Sequence, residues 1–116
     1  MVVNLAHHDL MNLVEHIESK NYLLTPRDRY NFVKMIYYGY ETGHLIVDNI
    51  KYTSSTRLFA FELVDRVCRF GTIKDACETE ALGLLIEEIS SRMGNEEEGS
   101  VFLHNLIKKY NLTKPY

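Results

Sequence analysis

The sequence predicts an all-α fold, a compact antiparallel bundle of five to six helices. Apolar residues recur at three- and four-residue spacing along most of the chain, as on one face of a helix. Residues that start and stop helices bracket those stretches. Only two prolines and six glycines occur, which argues against a turn-rich β fold and against disorder. The chain of 116 residues is long enough to build one core, so a single helical domain over 1–116 is expected, with a short tail from about residue 111.

Each element has its own signal. Asn4 offers a cap for a first helix over about 5–19, with Leu10, Leu13, Val14 and Ile17 as its apolar stripe and His7, His8, Asp9, Glu15 and Glu18 mostly off it. Thr25-Pro26-Arg27-Asp28 is the clearest helix start in the chain. Thr25 can accept a first-turn N–H, Pro26 suits the first helical position, and Asp28 puts a carboxylate near the positive end of the helix dipole. Tyr30, Val33, Ile36, Tyr37 and Tyr40 then share one face, and Gly43 is a natural stop, giving a second helix over about 26–42. Residues 44–53 fit either a long ordered connection or one short extra helix.

Ser54-Ser55-Thr56 offers caps for a third helix over about 56–70. Leu58, Phe59, Phe61, Leu63, Val64, Val67, Cys68 and Phe70 make it the most apolar, so it is expected to be central, and Gly71 ends it. Thr72 with Asp75 forms a second capping-box pattern and Thr79 offers a further cap, so the fourth helix starts at 73 or at 80; its firm part carries Leu82, Leu85, Ile86, Ile89 and Met93. Asn95-Glu96-Glu97-Glu98-Gly99 reads as a solvated loop or the acid-rich first turn of a fifth helix over about 97–110, which buries Phe102, Leu103, Leu106 and Ile107.

Most chemistry-bearing patterns are missing. His7-His8-Asp9 and His16 lack the spacing of three or four that pairs helical histidines on a metal, so structural histidines and no metal are expected. Cys68 lies inside an apolar stripe, where a thiol acts as a small hydrophobe, and no nucleophile elbow, phosphate-binding glycine loop or Cys-x-x-Cys pair occurs. The expectation is therefore a non-enzyme without cofactors. Two cysteines on helical stretches fit a reducing, cytoplasmic setting, and no apolar run approaches the roughly 20 residues that span a bilayer.

Candidate contact residues come from tyrosines and paired charges. Tyr37, Tyr38 and Tyr40 cannot all face one core, so Tyr38 is expected outside, where tyrosine suits protein contact. Arg27 and Arg29 flank Asp28 at the start of the second helix, and Arg66 and Arg69 share a side of the third. With a net charge of −3, these mixed patches fit charge-complementary protein docking better than a phosphate track.

Three stretches resemble the death-fold superfamily, and most its death-effector branch. Leu10 to Ile17 followed by Leu24-Thr25-Pro26-Arg27-Asp28-Arg29-Tyr30-Asn31-Phe32-Val33 resembles its first two helices and their capped junction. Arg57 to Val64, running to Phe70-Gly71-Thr72-Ile73, resembles a helix ending in glycine and an aliphatic residue. Glu80 to Ile89 resembles the leucine-rich helix that follows. The likeness covers roughly residues 8–94. Where that branch carries an Arg-x-Asp-Leu element paired with an acid of the second helix, this chain has Ser91-Arg92-Met93-Gly94-Asn95; the arginine is present, the aspartate and leucine are not, and Asp28 is the nearest analogue of the acid.

The resemblance implies a protein-interaction module that docks onto like domains or itself, an adaptor or inhibitor in cell-death or innate-immune signalling. Its expected contact residues are Arg27, Asp28, Arg29, Tyr38, Arg66 and Arg69. Small viral helical inhibitors have a similar composition. The alternative is a nucleic-acid-associated helical cofactor, viral or transcription-linked, which the tyrosines and paired basics allow and the net charge opposes. An enzyme with an acid pair is the third class.

Overall fold

The computed structural model describes residues 3–93 and 98–112, and among these the fold is all-α. Six α-helices follow in order: α1 (His7–Glu18), α2 (Pro26–Tyr37), α3 (His44–Val47), α4 (Thr56–Phe70), α5 (Ala81–Ser91) and α6 (Glu98–Tyr110). One small antiparallel ladder joins β1 (Thr72–Ile73) to β2 (Thr79–Glu80), with Thr72 opposite Glu80 and Ile73 opposite Thr79. Helix α4 packs against α1, α3 and α5. It is central because Phe59, Ala60, Leu63, Val64, Val67 and Cys68 give it buried side chains through its whole length. They join Leu13, Val14 and Ile17 of α1, Val33 and Tyr37 of α2, Leu82, Leu85, Ile86 and Ile89 of α5 and Leu103 and Leu106 of α6 in one cluster.

Local chemistry explains the helix ends, including those that differ from the sequence reading. The Asp28 N–H donates to Thr25 Oγ1 at 3.1 Å, so α2 opens as expected. Helix α1 begins at His7 with Ala6 at its cap and no side-chain cap bond, so Asn4 does not cap it. Helix α2 stops at Tyr37, five residues before the expected end. The N–H of Glu41, which a continuing helix would give to the Tyr37 carbonyl, goes instead to Asp75 Oδ2 at 2.8 Å. Gly43 then folds back so closely that a Cβ there would lie 1.7 Å from the Tyr37 carbonyl oxygen. Thr72 and Asp75 form no capping box: Thr72 is in β1, Asp75 holds Glu41, and α5 starts at Ala81. Gly71, at φ 84° and ψ −139°, makes the reversal that ends α4.

Residues 44–53 contain the short helix α3, followed by a turn. Leu112, expected in a free tail, is buried. Its N–H donates to Ile107 O at 3.1 Å, and its carbonyl accepts from Glu80 N at 3.3 Å. Most of the acidic run 95–99 lies outside the described residues, as do residues 113–116 of the expected tail.

Candidate protein-docking faces

The expected contact residues separate into one buried arginine and two exposed faces. Arg29 is only 4% exposed, and this corrects its reading as a contact residue. Its guanidinium donates to five neutral oxygens: Leu23 O (2.9 Å), Leu24 O (3.3 Å), Tyr52 O (3.0 Å), Ser54 O (2.7 Å) and Thr56 Oγ1 (2.7 Å). It also lies 5.4 Å from the centre of the Phe59 ring. Burying the charge costs several kcal/mol, and charge-assisted bonds of roughly 1.5–3 kcal/mol each offset that cost. Arg29 therefore ties the start of α2 to the segment that leads into α4.

The first face is on α2. Arg27 and Asp28 are exposed in its first turn, and Tyr38, just past its end, is 47% exposed as expected. Tyr37, its neighbour, is fully buried and donates through its hydroxyl to Ala81 O at 2.6 Å. Burial pushes that phenol well above its usual pKa. Lys34 Nζ sits 5.4 Å from the Tyr38 ring centre. Asp28, Asn31 and Met35 of α2 line a cleft of about 270 Å³ with Tyr22, Phe32 and Arg92. The Arg92 guanidinium lies 4.7 Å from the Tyr22 ring and 5.1 Å from the Phe32 ring, and Glu88 Oε2 accepts from its Nε at 2.8 Å. Arg92 thus comes to the α2 surface beside Asp28, with Glu88 as its ion-pair partner.

The second face is separate. Arg66 and Arg69 line a hollow of about 380 Å³ with Leu45, Asn49 and Phe70. Arg66 Nη2 donates to Asn49 O at 3.3 Å, and Arg69 Nε to Asp65 Oδ1 at 2.9 Å. The Arg69–Asp65 pair is exposed on both sides (72% and 60%), so it contributes at most about 1 kcal/mol.

The chain matches the effector-associated domain 8 family over residues 7–110. It belongs to that family. Effector-associated domains are helical modules linked to effector signalling. No curated protein and no solved structure matches the chain, so its likeness to the death-effector branch rests on the sequence stretches alone.

Several features of this effector-associated domain escaped the sequence reading. Leu58, placed in the apolar stripe, is 62% exposed, while Met35 and Leu45 are exposed at 56% and 45% beside the charged groups just described. Met35 falls off the α2 stripe, which was the one available signal. Asp9, read as lying off the α1 stripe, is buried. It accepts from Lys109 Nζ (2.8 Å) and from the Tyr110 hydroxyl (2.6 Å), clasping the start of α1 to the end of α6. Those two bonds hold its carboxyl below the usual range. His16 stacks on Phe102 at 5.2 Å, and burial lowers its pKa. Cys68 is buried, which pushes its thiol up to about 12, and Cys77 is exposed; both are free thiols. Among the described residues no cluster of three potential ligands could hold a metal ion, and no helix is long and apolar enough to cross a membrane.

Proposed function

We propose that this effector-associated domain is a non-enzymatic, intracellular module that docks onto a like helical domain, a second copy included. Its role is that of an adaptor or inhibitor in cell-death or innate-immune signalling. The observation that carries the reading is the hollow of Arg66, Arg69, Leu45, Asn49 and Phe70: two exposed guanidiniums with weak internal partners beside exposed apolar surface. Apolar contact with displaceable charge at the rim suits a specific but reversible protein interface. Arg27 and Asp28 on α2, with Tyr38 just past its end, offer a second mixed-charge face, so one copy can present two different surfaces. The family's link to effector signalling, the resemblance to death-effector domains and the free thiols support the cellular setting.

Size-exclusion chromatography with light scattering, across protein concentration and at low and high salt, tests this. The expected result is a mass that rises with concentration and falls back with salt, because exposed charge pairs are screened. A strict monomer in every condition would sink the self-docking form. Retention of RNA that weakens steeply with salt would favour the nucleic-acid reading instead.

A further inference from the structure

A further concavity flanks the packed core along α4, reaching its edge at Val64 and Cys68. It is a groove of about 700 Å³ between α4, the first turns of α1 and residues 3–5. Leu58, Phe61, Asp65 and Cys68 of α4 line it at spacings of three and four, so they form one stripe. From Leu58 to Cys68 that stripe runs about 15 Å, roughly three helical turns. Leu5 and Leu10 form the facing apolar wall. The wall is fixed at both ends: Val3 N donates to Cys68 O at 3.0 Å, and Ala6 N to the Tyr110 hydroxyl at 2.9 Å.

Charge selects the occupant. The only charged side chains lining the groove among the described residues are the carboxylates of Glu62 and Asp65. Each uses one oxygen inside the chain, Glu62 toward the Lys51 N–H and Asp65 toward Arg69. Leu58 leaves a large apolar surface in water at the rim. An apolar floor of helical length with an acidic rim fits a helix carrying an apolar stripe and flanking lysines or arginines.

We propose that this groove is a docking site for a short basic amphipathic helix of a partner protein, adjoining the arginine-bearing face of α4 through the Asp65–Arg69 pair. The test is fluorescence anisotropy on the whole chain with a labelled helical peptide of about twelve residues (about 18 Å), leucines at spacings of three and four and lysines at its flanks. A control peptide has each lysine replaced by glutamate. The basic peptide is expected to bind, with affinity falling by about tenfold or more in Leu58→Ser, in Asp65→Lys and for the acidic control. Circular dichroism should be unchanged, because Leu58 and Asp65 are both exposed. Absence of binding, equal binding of the two peptides, or binding indifferent to both substitutions would overturn the proposal. So would loss of self-association in Leu58→Ser, since the groove would then be filled by a second copy.

Discussion

The start of α2 and the end of α4 each carry two arginines a turn or less apart, and the fold uses them in opposite ways. Arg29 is buried against five oxygens drawn from two separate stretches of chain, residues 23–24 and 52–56. Arg66 and Arg69 each make one contact and remain exposed. The difference comes from the surrounding carbonyls. Leu23, Leu24, Tyr52 and Ser54 all lie outside α-helices, and Arg29 satisfies their carbonyls together. Arg66 reaches only one such carbonyl, Asn49 O, and Arg69 only the exposed Asp65 carboxylate, so neither guanidinium is drawn inward. An arginine is buried here where several free carbonyls converge on it, and stays exposed where they do not.

The largest effect expected from that contrast is at Arg29. Arg29→Met should lose at least about 3 kcal/mol in urea unfolding, because several polar oxygens lose their donor at once. Arg29→Lys should recover little of it, since an ammonium has three donors and no planar fork. A fully stable Arg29→Met chain would dissolve the contrast. The buried carboxylate of Asp9 gives a smaller effect with a pH signature. Its folded pKa is depressed below 3.8, so its contribution is present above about pH 3.8 and is lost as pH falls through the folded value. Unfolding of Asp9→Asn followed from pH 5 to pH 2.5 should show a shallower acid loss than the parent chain. An identical acid profile would mean that the clasp to Lys109 and Tyr110 contributes nothing. The smallest stability effects belong to Arg66→Glu and Arg69→Glu, expected within about 0.5 kcal/mol of the parent.

The bundle was legible from the sequence because most of its signals are local. The Thr25-Pro26 cap, the stripe through α4 and the glycine after Phe70 all state their structure within one or two turns. The early end of α2 was not legible, because it depends on Asp75, which is 34 residues away from the N–H it captures. The same holds for Arg29, whose acceptors at Tyr52, Ser54 and Thr56 come together only when α4 docks, and for Asp9, whose partners lie 100 and 101 residues on. Of the expected contact residues, Arg27, Asp28, Tyr38, Arg66 and Arg69 are on the surface, in two groups. The exposed Leu58 was hidden by its own stripe. Periodicity marks an apolar residue but not whether a neighbour arrives to cover it, and the space beside Leu58 is an open groove.

On the proposed function, Arg66 and Arg69 serve docking and not folding. The most direct measurement is light scattering and thermal unfolding on the same preparations of the parent chain and Arg66→Glu at low salt. The expected result is an unchanged melting temperature with self-association lost or strongly weakened. Self-association that survives the charge reversal, in a chain that melts as the parent does, would contradict the claim.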